Sequence, residues 1–388
     1  MRQLATIRKI AKLEPIKGAD KIEVATIDGW KVVVGKGEFK EGDKCIYCEI
    51  DSFLPIDPDF EFLRKSSYKQ FPDGTEGFRL KTIKLRGQIS QGLALTMQSL
   101  EGRGYADARN WAIGSDVTEE LGIKLYEKPI PFNLAGAVKG TFPREIVPKT
   151  DEERVQNIPL DVLTKPRVYY VTEKLDGTSF TAYSYNEHFG VCSRNFELKE
   201  DDKNLYWRVA WQYKLPERLP GMNLAVQGEI CGPTIQGNPY RLSAPSLYVF
   251  GVYDTARGKY LPFEDVELLC RVWGIPRAPF VAIDTFEIQG GYAQRLGSFS
   301  SYDEVLVMAD GNTLVNFENV PREGLVFKSY SPEYFSFKVI SNKYLLHQEE
   351  NKYEDSLPVT EELGLWQRLK KQMTELYSKI QRAGGRST

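Results

Sequence analysis

Residues 168–185 read VYYVTEKLDGTSFTAYSY, two runs of aromatic and β-branched residues interrupted by Lys174, Leu175, Asp176 and Gly177. Such runs favour strands, and the LDG triplet favours a turn. The reading is two strands with a lysine at the end of the first, its amine at the mouth of a sheet with apolar walls. Burial and neighbouring cations both disfavour an ammonium, so the pKa of Lys174 is expected to fall toward the range of a nucleophile. Taken alone the KxDG pattern is weak, since such a turn needs no chemistry.

Working downstream, the chain offers SRN (Ser193, Arg194, Asn195), QGEICGP with Glu229, LYVFGVYD with Phe250, EGLVFKS with Glu323 and Lys328, and SFKVISNK with Lys338. Singly, each has an ordinary explanation. Arg194 reads as a surface ion-pair residue and Phe250 as core. Glu229 resists this, because a carboxylate inside an otherwise apolar strand needs a partner. As an ordered set from about residue 150 to 345, the elements resemble the covalent nucleotidyltransferase superfamily of polynucleotide ligases and RNA capping enzymes.

That resemblance implies that Lys174 carries AMP and that Glu173 lies near the adenine amine. Arg194 and Glu229 match positions contacting the ribose and neighbouring groups, and Phe250 matches the aromatic that stacks on adenine. Glu323 matches an acid that holds metal-bound waters, and Lys328 and Lys338 match phosphate lysines. The physics is consistent: a triphosphate needs cations such as Arg194, Lys328 and Lys338, and a planar base needs a stacking surface. A hard cation, Mg²⁺ or Mn²⁺, suits the carboxylates of Asp176, Glu229 and Glu323 through its waters. One position departs from the pattern. Where many relatives have lysine two residues before Lys338, this chain has Ser336.

The first hundred residues alternate short β-like runs (KIEVATIDGWKVVVG, KGEFKEGDKCIYCEI, EGFRLKTIKLRG) with glycine turns, as in a small barrel. They hold 17 basic and 14 acidic residues, in a chain whose net charge is −2. From Phe78 apolar and basic residues alternate, which on one strand would place Arg79 and Lys81 on one face, with Lys84 and Arg86 extending the basic run. An oligonucleotide-binding (OB) barrel uses such a face for RNA; the plain alternative is a lysine-protected edge strand.

Residues 100–130 read as a connector with a short helix near Val117 to Leu121, broken by Pro129, Pro131 and Pro143. After His347, Leu363, Trp366, Leu369, Met373, Leu376 and Ile380 recur at helical spacing, predicting an amphipathic helix from about Thr360.

A barrel before the lysine domain, with 45 residues after SNK, sets the order. Together with KLRGQISQGL and PKTDEERVQN, it resembles the fifth RNA ligase family. There Arg154 matches an arginine reaching the nucleotide phosphate. The expected fold is α+β: an OB-fold β-barrel over 1–110, a linker over 111–134, an ATP-grasp-like ligase (nucleotidyltransferase) domain of antiparallel sheets with flanking helices over 135–345, and a helical tail over 346–388. The implied activity is ATP-dependent joining of RNA 3′-hydroxyl and 5′-phosphate ends, with a nicked duplex as partner and a monomer as the working form. Rival readings are a GTP-using capping enzyme, a DNA ligase of the same superfamily, and a non-catalytic RNA-binding relative.

Bulk composition narrows the field. A near-neutral chain with 41% apolar and 27% charged residues is no uniformly basic nucleic-acid coat, and no stretch reads as a signal peptide or membrane span. Five cysteines, with Cys45 and Cys48 placed to face opposite sides of one strand, point to reduced thiols in an intracellular, cytoplasmic setting. Two histidines exclude a His-rich metal site.

Overall fold

The computed structural model describes residues 2–71, 73–127, 137–165, 167–281, 299–316, 319–329 and 335–346, and the backbone alone of 285–288 and 291–297. The tail expected over 346–388 therefore lies, but for its first residue, outside the described residues. The chain divides into two compact units, one built on Met1–Pro129 and the other on Ile130–Tyr344.

In the first unit small antiparallel sheets enclose two cores. The strand Lys44–Cys48 pairs with Ala5–Lys9 on one side and Leu93–Leu95 on the other. Its faces feed different cores: Cys48 packs with Ile7, Ile46 and Phe78, and Cys45 with Trp30, Val32 and Tyr47. Both thiols are free and fully buried, as their opposed placement predicts, and burial pushes that of Cys45 up to about 12.

Two expectations for this unit are corrected. Residues 111–127 are not a linker: Val117, Leu121 and Ile123 are core, and Lys124–Leu125 pairs with Ser52–Leu54. The apolar side chains there have a sheet to cover, and the expected helix at Val117 is a single hydrogen-bonded turn. Nor do Arg79, Lys81, Lys84 and Arg86 share one strand. Glu76–Arg79 and Thr82–Leu85 belong to separate sheets. Arg79 is tied to Asp51 at 3.1 Å and lies over the Tyr126 ring at 4.1 Å, whereas Lys84 and Arg86 stand exposed on a hairpin. Its turn, Arg86 and Gly87, takes φ of 51° and 82°, the positive pair a tight hairpin demands.

Among its described residues the second unit holds two antiparallel sheets. The larger runs Val138–Thr141, Phe196–Leu198, His188–Cys192, Thr178–Tyr185, Leu224–Cys231, Ser246–Asp254, Lys259–Tyr260 in spatial order. One face packs Phe180, Val226, Leu247 and Val249 against the helices Leu205–Gln212 and Phe263–Trp273. The smaller runs Thr285–Ile288, Gly291–Gly297, Arg167–Lys174, Gly324–Ser329, Ser336–Ile340. Its core is aromatic: Phe327 and Phe337 stack at 4.8 Å, with Tyr169 edge-on to both. The helix Tyr302–Ala309 adds Val305 and Leu306.

The stretch that opened the sequence reading joins the two sheets. Arg167–Lys174 ends in the smaller sheet and Thr178–Tyr185 begins in the larger, so Lys174 marks the crossing point. Gly177 is required there, because a Cβ would lie 2.4 Å from the Ile230 carbonyl oxygen and 2.8 Å from the Glu229 Cγ.

Candidate nucleotide-transfer site

Strand alternation sorts the site residues before any distance is measured. In the smaller sheet Lys174 is paired with Gly324, Tyr170 with Lys328, Val326 with Lys338, and Lys328 with Ser336. Directly paired residues share a face, so Lys174, Lys328 and Lys338 project from one side while Tyr169, Phe327 and Phe337 fill the core on the other. Gly324 leaves room opposite the lysine; a Cβ there would sit 2.0 Å from the Val339 carbonyl oxygen.

Lys174 Nζ donates to both oxygens of Glu323, at 2.7 and 2.8 Å. Burial acts to lower the lysine pKa, but the carboxylates of Glu323, Glu229 and Asp176 outweigh it, and the result is raised. The sequence expectation of a depressed pKa is thus corrected: the closest charges are acids, not cations. Burial, reinforced by Glu323 and Asp176, pushes Glu229 up to about 8. Burial and Asp176 also raise Glu323, against the pull of Lys174.

Asp176 is fixed from two directions. Its N–H donates to the Tyr240 hydroxyl at 2.6 Å, and its carboxylate accepts from Tyr344. Neither tyrosine was signalled by the motifs. Glu173, on the opposite face from Lys174, is 2% exposed and accepts from the Leu314 N–H at 2.8 Å. Its carboxyl is buried on the side of the sheet away from Lys174, Lys328 and Lys338, beside Thr313 and Leu314, so the expected contact with the adenine amine is not formed by this placement.

The cationic side is equally enclosed. Lys328 is 4% exposed, donates to the Phe250 carbonyl at 3.0 Å and lies 5.5 Å from the centre of the Phe250 ring. Burial lowers the pKa of Lys328, and burial with Arg154 and Lys174 lowers that of Lys338. Arg154 is buried and bridges in parallel to Lys338. Buried cations in this condition gain most from an arriving anion. Ser336, the departure from pattern, gives its hydroxyl to Glu152. Arg194 is the outlier: its side chain is 62% exposed and meets the cluster through Asp151, at 3.4 Å.

Phe250 owes its position to a bulge. Gln227 pairs with Gly251 and Gly228 with Val249, leaving Phe250 as the extra residue. A bulge redirects a side chain at that point. Val249 stays in the core while Phe250, with Tyr170, Thr172 and Lys328, lines a cavity.

Among the described residues no three His, Cys, Asp or Glu side chains come close enough to grip a metal directly. Glu229, raised by burial first and then by Glu323 and Asp176, nevertheless suits with them a divalent cation held through its waters. Arg79, Lys81, Lys84 and Arg86 belong to the first unit, and these groups to the second.

A lysine amine among acids, an aromatic and buried cations is the arrangement expected of an enzyme that carries a nucleotide on lysine. A family model of RNA ligases matches residues 167–344, and an OB-fold domain model matches residues 4–97. Among solved structures, Naegleria gruberi RNA ligase with pyrophosphate is 40% identical, covering 90% of this chain and 100% of that one with a TM-score of 0.78. A lysine-to-alanine variant of that ligase with ATP and Mn has a TM-score of 0.77 at 40% identity, covering 88% and 98%. Another variant, with AMP and Mn, has a TM-score of 0.77 at 40% identity, covering 89% and 98%. No curated protein matches by sequence. The chain belongs to the RNA ligase family.

Proposed function

We propose that this ATP-dependent RNA ligase carries AMP on Lys174 and joins an RNA 3′-hydroxyl to a 5′-phosphate. The observation that carries the reading is Lys174 at the crossing of two sheets, its amine on Glu323 and its sheet face shared with Lys328 and Lys338. The forms of the Naegleria enzyme with ATP, AMP and Mn support the nucleotide and the metal.

For attack, Lys174 must first pass to solvent the proton that Glu323 now helps to hold. A bound divalent cation supplies the positive charge that offsets these carboxylates and the phosphates. Lys174 Nζ then forms a bond to the α-phosphorus as the bond to the bridging oxygen breaks, and pyrophosphate departs with the electron pair. Lys328, Lys338 and Arg154 screen the phosphates, and Phe250 supports the base. AMP next passes to the RNA 5′-phosphate, freeing Lys174. Finally the 3′-hydroxyl attacks that phosphate and AMP leaves. Positioning and charge carry most of such transfers.

One chain carries every group these steps use, so a monomer acting on a nicked duplex suffices. A reducing, intracellular compartment suits its five buried free thiols. Incubation with α-labelled ATP or GTP tests the reading. ATP alone should label the protein, and RNA with a 5′-phosphate should remove the label. Labelling from GTP in preference to ATP points to the capping-type alternative.

A further inference from the structure

The segment leading to Arg154 is acidic where an anion is to bind. Asp151 places Oδ1 at 2.8 Å from Lys338 Nζ and Oδ2 at 3.4 Å from an Arg194 nitrogen. One carboxylate spanning two separate cations takes the place that phosphate oxygens would take. Its placement is built in. The Lys338 N–H donates to the Glu153 carbonyl at 2.8 Å, Arg154 bridges to Lys338, and Glu152 accepts from Ser336. The strand Ser336–Ile340 thus holds residues 152–154 and brings Asp151 to the lysine. The partners differ in freedom: the Lys338 side chain is 13% exposed, against 39% for Asp151 and 62% for Arg194. The acid already faces water in part, and the lysine is enclosed.

We propose that Asp151 is a resident counter-anion of the polyphosphate subsite. It neutralises Lys338 and Arg194 between turnovers, yields them to the β- and γ-phosphates of ATP, and returns as pyrophosphate leaves. The inference rests on reading the Lys174 site as an ATP site, and adds that affinity there is set by competition with an internal carboxylate. A competitor of this kind weakens ATP and pyrophosphate together and favours release of pyrophosphate.

The test uses Asp151→Asn in the full chain, which keeps shape and removes charge. The ATP concentration giving half-maximal lysyl-AMP formation should fall about fivefold, the effect of an exposed ion pair. The pyrophosphate concentration giving half-maximal reversal should fall in parallel; in that reaction a pyrophosphate oxygen attacks the phosphorus, the N–P bond breaks and ATP leaves. Asp151→Ala should move both values the same way, and added salt should shrink the difference. Unchanged or higher values in both variants overturn the proposal, because they mean that Asp151 orients the cations. Direct titration of inorganic pyrophosphate into the unloaded protein separates this failure from failure of the ATP reading. Tighter binding in Asp151→Asn supports the counter-anion even where ATP gives no label, and equal or weaker binding rejects it.

Discussion

Lys174 rests as an ammonium clasped by Glu323, so the resting site is poised for binding rather than for attack. Glu323→Gln keeps the shape of that partner but removes the charge a metal and its waters require, and ligation should fall by two orders of magnitude or more, about the loss seen when one strong electrostatic group goes. A gel assay on a nicked RNA duplex measures this, and near-wild-type sealing in excess chelator would reject the metal role. Glu229 gives a pH signature. Its folded pKa of about 8 lies above the ordinary 4.5, so the folded protein binds this proton more tightly than the unfolded chain. The stability so gained is fully present below about 4.5 and is lost as pH rises through about 8. Melting temperatures of metal-free protein across that window should decline, and Glu229→Gln should flatten part of the decline. A variant with the same slope as wild type contradicts the burial of this acid.

At the scale of elements, the crossing between the sheets depends on Gly177, whose missing side chain lets Ile230 and Glu229 approach. Gly177→Ala should cost about 1–3 kcal/mol through overpacking, readable as a lower denaturation midpoint, and should slow AMP transfer. The ordered motifs made Lys174, Lys328 and Lys338 legible as site candidates, but that they share a face depends on the pairing register of three strands, which no local spacing carries. What escaped were residues whose role depends on distant chain. Tyr240 and Tyr344 meet at Asp176 from 64 and 168 positions away, with no local pattern to mark them. The bulge at Phe250 likewise depends on pairing with Leu224–Cys231. The run from Phe78 misled because alternation alone does not show where one strand ends, and the chain bends between Arg79 and Thr82.

For the whole molecule, each unit has its own core, and every residue assigned to nucleotide chemistry lies within Ile130–Tyr344. We propose that the first unit engages RNA through Lys84 and Arg86, which stand exposed on its hairpin. Neutralising both should weaken RNA binding and lower the salt dependence of log affinity by about 1 to 2, one phosphate contact for each residue. An unchanged slope in a filter-binding titration contradicts that assignment. A fragment beginning near residue 130 should still form lysyl-AMP yet seal RNA poorly, and equal sealing by fragment and full chain across a salt series would give the OB domain another role. The most direct test of the central claim is transfer of label from α-labelled ATP to wild type, Lys174→Arg and Lys165→Ala. Lys174→Arg keeps the positive charge beside Glu323, so a loss of label is a loss of nucleophile. Acid-labile label on wild type and Lys165→Ala, with none on Lys174→Arg, is the expected result; label retained by Lys174→Arg would place the AMP elsewhere and contradict the account.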